Sequence, residues 1–319
     1  MNTTIGIVLA TYNGELYIRH QLETIINQTM KPNLIVVSDG GSNDHTIDIC
    51  HDVLKKCGID YMILSTDDRL SVQANFNKAL YQCKCDYIFF SDQDDSWKRN
   101  KIEITIKSMM KVHASFAFTN ARITDGVLKE SGLSLWDSIG FFPKHKVEVY
   151  PPKERGFIEE LIKHNIVTGM TMCITSDLRE VVLPLSQFAI HDKWIAMIAA
   201  HYCTTVAINE ELVLYRQHSN NEVGTKRSLK RAINNKKKYI DNIIDRASMI
   251  RNTVSKLLGN GIESPFDFSA YLDYLDKRLQ FVQKNQNITS ILRMITDYRR
   301  YEKKSSEIIL KDIIVRIAP

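Results

Sequence analysis

Over its first 120 residues the chain alternates short, mostly apolar runs with stretches of helical periodicity, an order that a parallel sheet with crossover helices accommodates best. The runs Ile5 to Ala10, Leu34 to Ser38, Tyr61 to Leu64, Tyr87 to Ser91 and Phe116 to Thr119 read as strands. Between them Glu15 to Gln28, Asp44 to Lys56, Val72 to Cys83 and Lys98 to Val112 carry apolar residues at helical spacing. The fold class is therefore α/β, a doubly wound and mainly parallel sheet. Residues 121 to 220 are less regular, with prolines at 143, 151, 152 and 184 and a helix expected at Asp192 to Ala200. Thr171 to Thr175 and Glu211 to Tyr215 are expected to extend the sheet as an antiparallel edge. From Thr225 the pattern turns to long helices, which divides the chain into an α/β domain at 1–224 and a helical appendage at 225–319.

Charge follows the same division: residues 1–225 hold 22 Lys and Arg against 27 Asp and Glu, and residues 226–319 hold 20 against 10. A basic tail on an acidic body suits an anionic partner, phospholipid or nucleic acid, and equally a solvated helical surface. No apolar run approaches the roughly 20 residues of a membrane-spanning helix. The start, Met1-Asn2-Thr3-Thr4, lacks a basic lead, so a cytoplasmic protein is expected. Six scattered cysteines without paired spacing are expected to be reduced thiols.

In open α/β sheets ligands bind beyond the carboxyl ends of the strands. Three loops there carry polar chemistry: Thr11 to Glu15, Asp39 to Asp44, and Asp92-Gln93-Asp94-Asp95. The last ends an apolar strand with three carboxylates in four residues. Such a cluster either holds a hard divalent cation such as Mn²⁺ or Mg²⁺ or caps the helix expected to begin near Trp97. Asp39, followed by two glycines, can accept from a nucleobase N–H or a ribose hydroxyl, or can serve its own turn. Neither G-x-G-x-x-G nor G-x-x-x-x-G-K-[ST] occurs, which removes the usual support for a dinucleotide oxidoreductase or a P-loop enzyme.

Ala10-Thr11-Tyr12-Asn13-Gly14, Ser38-Asp39-Gly40-Gly41-Ser42 and Asp92-Gln93-Asp94-Asp95, in this order and spacing, resemble family 2 glycosyltransferases of the GT-A fold. His191-Asp192-Lys193-Trp194 and Leu214 to Asn221 extend the resemblance toward a bacterial, rhamnosyltransferase-like branch. The resemblance implies that Thr11, Tyr12 and Asn13 line the donor's pyrimidine, with the Tyr12 ring on the base, and that Asp39 accepts from its N3–H. It implies that Asp92 and Asp94 touch the donor, that Asp94, Asp95 and His218 hold Mn²⁺ or Mg²⁺, and that Arg216 clamps phosphate. Asp192 is implied as general base, although a carboxylate there also suits a helix N-terminus. Trp194 reads as core or as acceptor wall, and Gly169-Met170 as a loop shaping acceptor choice. Two departures stand out: Ser38 replaces the first carboxylate of the family's Asp-Asp pair, and the arginine common before the fourth strand is absent from Gln73 to Asn77.

The implied activity is inverting transfer of a sugar from a UDP- or dTDP-linked donor, dTDP-rhamnose among them, to a saccharide or lipid-linked saccharide acceptor in bacterial surface polysaccharide synthesis. The alternative is a nucleotide-sugar-binding scaffold without turnover. Basic amphipathic segments at Arg293 to Tyr301 and Ile308 to Arg316 suggest peripheral contact with the inner face of the cell membrane. Nucleic acid is not expected as a partner, because no aromatic-basic stacking platform accompanies the charge.

Overall fold

The computed structural model of the chain describes residues 3–218 and 235–317. These fall into two compact units, one of residues 1–152 with 166–222 and one of residues 153–165 with 223–319. The boundary expected at 224/225 lies outside the described residues.

The first unit carries the alternation read from the sequence: β1 (Ile5–Thr11), α1 (Ile18–Ile26), β2 (Leu34–Asp39), α2 (Thr46–Leu54), β3 (Asp60–Leu64), α3 (Val72–Gln82) and β4 (Tyr87–Ser91). After these come β5 (Ser96–Trp97), α4 (Lys101–Val112), β6 (Phe116–Thr124), β7 (Glu130–Ser134), α5 (Leu135–Ile139) and β8 (Val147–Tyr150). Past α6 (Arg155–Lys163), which belongs to the second unit, a 3₁₀ turn (Gly169–Thr171) leads into β9 (Met172–Thr175), α7 (Ser176–Val182), α8 (His191–Tyr202) and β10 (Thr205–Arg216). The sheet order is β3-β2-β1-β4-β9-β6-β10-β5, with β7 on β6 and β8 on β10. Ile7 to Leu9, Ile35 to Val37 and Ile88 to Phe90 are all fully buried, as strands covered on both faces must be.

Two strands depart from expectation. β9 is antiparallel but lies in the middle of the sheet, between β4 and β6, and β10 runs parallel to β6 over its whole length. The physical reason is burial: Met172, Cys173 and Ile174 are completely inaccessible, which an edge strand would not allow. The segment at Trp97, expected to open a helix, instead forms β5 and pairs with β10, Trp97 opposite Val213 and Ser96 opposite Leu214. All six cysteines are free thiols.

The second unit combines α6 with α9 (Lys236–Gly259), α10 (Phe268–Val282), α11 (Ser290–Arg293), α12 (Ile295–Tyr301) and α13 (Ser305–Ile317). None of the described helices is long and apolar enough to cross a membrane. Part of its basic charge is internal. Arg278 donates to Asp312 at 2.7 Å and to Glu302 at 3.2 Å, Arg246 donates to Glu302 at 2.7 Å, and the Tyr239 hydroxyl donates to Asp312 at 2.6 Å. Arg278, Glu302 and Asp312 are 5%, 7% and 0% exposed, so each charge depends on its partners for solvation. Arg278→Met should therefore destabilise this unit by about 3–5 kcal/mol, since Asp312 is left charged in the interior. Pairing it with Asp312→Leu should recover much of that loss, and urea denaturation followed by circular dichroism measures both.

Candidate active site

The carboxyl edge of the parallel strands gathers four loops, and pairing accounts for the closest approach. Continuing the antiparallel β5–β10 alignment past Ser96 and Leu214 sets Arg216 opposite Asp94. There the Arg216 Nε donates to the Asp94 carbonyl at 2.7 Å and its Nη1 to the Gly126 carbonyl at 2.7 Å. Its backbone N–H donates to Asp95 Oδ1 at 3.1 Å. Two residues on, His218 Nε2 lies 2.8 Å from Asp94 Oδ2. Tyr17, which the sequence reading did not single out, stacks on His218 with centroids 4.8 Å apart and lies under the Arg216 guanidinium at 4.6 Å. Ser219 to Asn221, the end of the motif read from the sequence, lie outside the described residues.

The three carboxylates differ in setting. Asp92 and Asp94 are half-buried, whereas Asp95 is inaccessible, its Oδ1 on Arg216 and its Oδ2 without a hydrogen-bond partner. Burial first, then the charges of Asp94 and Asp92, push the Asp95 pKa well above the ordinary carboxylate range. Asp95 thus anchors the Arg216 backbone through one oxygen and keeps the other without a hydrogen bond. Asp94 offers a hard carboxylate oxygen, the donor that suits Mn²⁺ or Mg²⁺, with the His218 imidazole nitrogen 2.8 Å from it. Among the described residues no three His, Cys, Asp or Glu side chains converge as a cluster. Such ions commonly complete their shell with substrate phosphate and water.

The donor-side loops are tied together by Gln93, another residue the sequence reading passed over. Its Oε1 accepts from the Thr11 hydroxyl at 2.6 Å and the Tyr12 N–H at 2.9 Å, and its Nε2 donates to the Tyr12 carbonyl at 3.1 Å. One amide thus matches the backbone of Tyr12 on both sides and locks the first loop to the acidic loop. Asn13, at φ 45°, accepts from the Asn43 N–H at 2.9 Å and so joins the first loop to the second. Asp39 accepts from the Gly41 and Ser42 N–H groups at 3.0 and 2.8 Å, and from the Ser42 hydroxyl. The turn reading of Asp39 therefore holds in this structure, and what it can offer a nucleobase is an unused lone pair. The arginine missing from Gln73 to Asn77 has a counterpart upstream: the Arg69 guanidinium lies 3.1 Å from the Tyr12 ring centroid. Three intervening residues, Leu70 to Val72, hid it in the sequence.

Asp192 reaches the same edge through β9. Extending the β4–β9 pairing places Gly169 level with Gln93, and the Gly169 N–H donates to Asp192 Oδ2 at 3.2 Å. The Lys193 N–H donates to the other carboxylate oxygen. Tyr215 stands between Leu214 and Arg216 on β10. Its phenol pKa is raised by burial and then by the charges of Asp95, Asp92, Asp94 and Asp192 together. Trp194 resolves as core, 3% exposed with its indole N–H donated to the Val182 carbonyl at 2.8 Å.

His191 is core as well, its ring 3.9 Å from Phe76 and 5.8 Å from Phe90 by centroid, with neither nitrogen hydrogen-bonded. A Cβ on Gly169 would lie 2.3 Å from His191 Nε2. Gly169 is thus required by packing, and a valine there would damage the fold before it altered acceptor choice. Burial lowers the His191 pKa to about 3, so the folded protein keeps the ring neutral while the unfolded chain protonates it below its ordinary 6.5. Stability from this difference is complete above pH 6.5 and is lost as pH falls toward 3. Relative to His191→Leu, the wild-type unit should lose about 2 kcal/mol between about pH 7 and about pH 5, measured by denaturant titration at each pH. Parallel pH dependences in the two proteins would contradict the neutral ring.

With this geometry, the comparisons with known proteins agree in direction. The family model described as glycosyl transferase family 2 matches residues 6–181. A dTDP-rhamnosyl transferase, RfbG of Shigella flexneri, is 27% identical over 238 residues, 70% of this chain and 75% of that protein. The Escherichia coli glucosyltransferase WfgD, named as acting from UDP-Glc on α-D-GlcNAc-diphosphoundecaprenol, is 29% identical over 119 residues, 37% of this chain and 46% of that one. Among solved structures, Staphylococcus aureus TarS (residues 1–349) with UDP-GlcNAc aligns over 98% of this chain and 90% of its own at a TM-score of 0.59 and 13% identity. The mannosyltransferase PcManGT of Pyrobaculum calidifontis, with GDP-Man and Mn²⁺, aligns over 99% and 85% at 0.51 and 12%. At those identities the structures speak for the fold, which is GT-A. Since the family model spans more than half of the chain, including the three carboxyl-edge loops and the Gly169 turn, the chain belongs to glycosyl transferase family 2 and is a glycosyltransferase.

Proposed function

We propose that this enzyme transfers a sugar with inversion from a UDP- or dTDP-linked donor to a saccharide or lipid-linked saccharide acceptor in bacterial surface polysaccharide synthesis. The observation that carries this reading is that the acidic loop, with Arg216 and His218 hydrogen-bonded to it, and the Gly169 turn, whose N–H donates to Asp192, stand at the same sheet edge. One set of acids faces a leaving diphosphate and the other an incoming hydroxyl. The similarity to RfbG over most of both chains supports a dTDP-linked deoxyhexose such as dTDP-rhamnose, and the names of WfgD and TarS keep UDP-sugars in view.

In this reading Thr11 and Tyr12, held by Gln93, receive the pyrimidine, with Arg69 on the Tyr12 ring. Asp39 takes the base N3–H on its remaining lone pair, and Asn13 holds the two loops in register. Asp92 contacts the donor ribose, while Arg216 sets a positive charge beside the diphosphate. Asp94 and His218 would hold Mn²⁺ or Mg²⁺, whose charge stabilises the departing diphosphate when the ion is bound. Asp192 removes the proton from the acceptor hydroxyl as its oxygen attacks the anomeric carbon on the face opposite the leaving group. No covalent enzyme–sugar bond is required. In the helical unit, exposed Arg293, Arg299, Arg300, Lys303 and Lys304 with Leu292 support a peripheral contact with anionic lipid. Binding to phosphatidylglycerol vesicles that weakens on changing Arg299 and Arg300 to Glu checks that contact.

The test is release of nucleoside diphosphate from a panel of UDP-, dTDP- and GDP-sugars with Mn²⁺ or Mg²⁺, with and without saccharide acceptors. Asp192→Asn should lower transfer from the accepted donor about 10²–10⁴-fold. Gln93→Ala should weaken UDP or dTDP binding about tenfold, the equivalent of about 1.4 kcal/mol, by releasing the Tyr12 loop. Full activity in Asp192→Asn would refute the base assignment, and binding of nucleotide without turnover of any donor would favour a scaffold.

A further inference from the structure

Lys101 is a buried lysine that no step above uses. It opens α4, six residues past Asp95, and its side chain has no solvent exposure. The ammonium donates to the Met170 carbonyl at 2.8 Å, lies 3.5 Å from the centroid of the Trp97 ring and 5.3 Å from that of Phe89. Burial lowers its pKa to about 7, against the opposing influence of Cys173, Asp95 and Asp92. Placing an ammonium in such a pocket is unfavourable unless its hydrogen bond does something that an apolar side chain of the same length cannot.

What the bond holds is the 3₁₀ turn. Met170 is the middle residue of Gly169–Thr171, and the residue before it donates the N–H that fixes Asp192 Oδ2 at 3.2 Å. On its other side the turn is pressed against His191, since Gly169 leaves no room for a Cβ. The turn is thus gripped between α4, which follows the acidic loop, and the start of α8, which carries Asp192. The Met170 carbonyl and the Gly169 N–H lie two peptide units apart on this one short turn, so holding the carbonyl fixes the turn and with it the direction of the Gly169 N–H.

We infer that Lys101 is a positioning residue for Asp192: by holding the Met170 carbonyl it aims the Gly169 N–H, and so sets the carboxylate against the acceptor hydroxyl. The inference rests on the assignment of Asp192 as base made above. It also gives the enzyme a direct mechanical link between the donor-side acids and the acceptor-side base, through one side chain at the root of α4.

A double-mutant cycle tests it, with Lys101→Met, Asp192→Asn and the two combined. The readouts are nucleoside diphosphate release from the donor that the panel selects, UDP and dTDP affinity by calorimetry, and melting temperature. Lys101→Met should lower kcat about 10–100-fold, because small misplacements of a catalytic group carry losses of that order. It should leave nucleotide affinity within about twofold and cause no further loss in the Asp192→Asn background, the signature of residues acting as one unit. Unchanged kcat, an equal loss of nucleotide affinity, or an undiminished loss in the Asp192→Asn background would each overturn the inference. Full activity of Asp192→Asn alone would instead remove the base assignment, and this inference with it. Should Lys101→Met fail to fold, Lys101→Gln, which retains one N–H donor on a shorter stem, carries the same cycle with a smaller expected loss of kcat.

Discussion

The reversed strand β9 is the constraint on which the candidate site depends. A purely parallel order would send every loop that follows a strand to the carboxyl edge and every loop that precedes one to the far side. Because β9 runs against β4 and β6, the turn that precedes it, Gly169–Thr171, arrives at the carboxyl edge level with the acidic loop. That turn brings Asp192 with it through one backbone hydrogen bond. The acidic loop and Asp192 share one edge because one short strand is inverted, and the complete burial of Met172 to Ile174 fixes that inversion in place.

A second constraint comes from β5, only two residues long. It is too short to stabilise anything alone, but its pairing with β10 decides which residues stand beside the acids. Arg216 and His218 lie far along the chain from Asp94, and the ladder sets them next to it. The polar contacts that follow divide the work: Arg216 is held by carbonyls and by Asp95, Asp94 and His218 remain partly exposed, and Tyr17 packs on both Arg216 and His218. Burial and the neighbouring charges of Asp94 and Asp92 push the Asp95 pKa up, directly behind two carboxylates that are partly exposed.

How much of this was legible in the sequence follows from what each element needs. The strands β1 to β4 announce themselves because both faces are buried, so their residues are apolar without alternation. β9 and β10 also read as strands, but the order of strands in a sheet is set by long-range packing, and the local pattern carries no trace of it. The acidic loop was visible as three carboxylates in four residues, and Asp192 became visible only through its position relative to other motifs. Gln93, Tyr17, Arg69 and Lys101 were not: an amide, a phenol and two cations acquire their roles from partners far along the chain or in a neighbouring loop. Asn13 and Asp39 were visible in the sequence, but the partners they hold in this structure were not. Residues of the expected type stood at the expected positions, yet most of their hydrogen-bonding capacity is spent on the loops themselves.

That last pattern bears on how such a site recognises a nucleotide. A loop that must meet a planar base needs a fixed backbone more than it needs many free polar groups, since every hydrogen bond formed to the ligand is offset by whatever freedom the loop then loses. Here the fixing is already done: Gln93 holds Tyr12, Asn13 and Ser42 join the first loop to the second, and Asn75 donates to the Thr11 carbonyl at 3.0 Å from beneath. The ring of Tyr12 is thereby presented in one orientation, with the Arg69 guanidinium against it. A stacked guanidinium enforces a flat, electron-poor surface beside the ring, and it restricts what else can lie there to groups of similar shape. On the proposed reading, selectivity for the base rests on the one lone pair that Asp39 has left, and the Gly169 turn and Asp192 are held by contacts of their own.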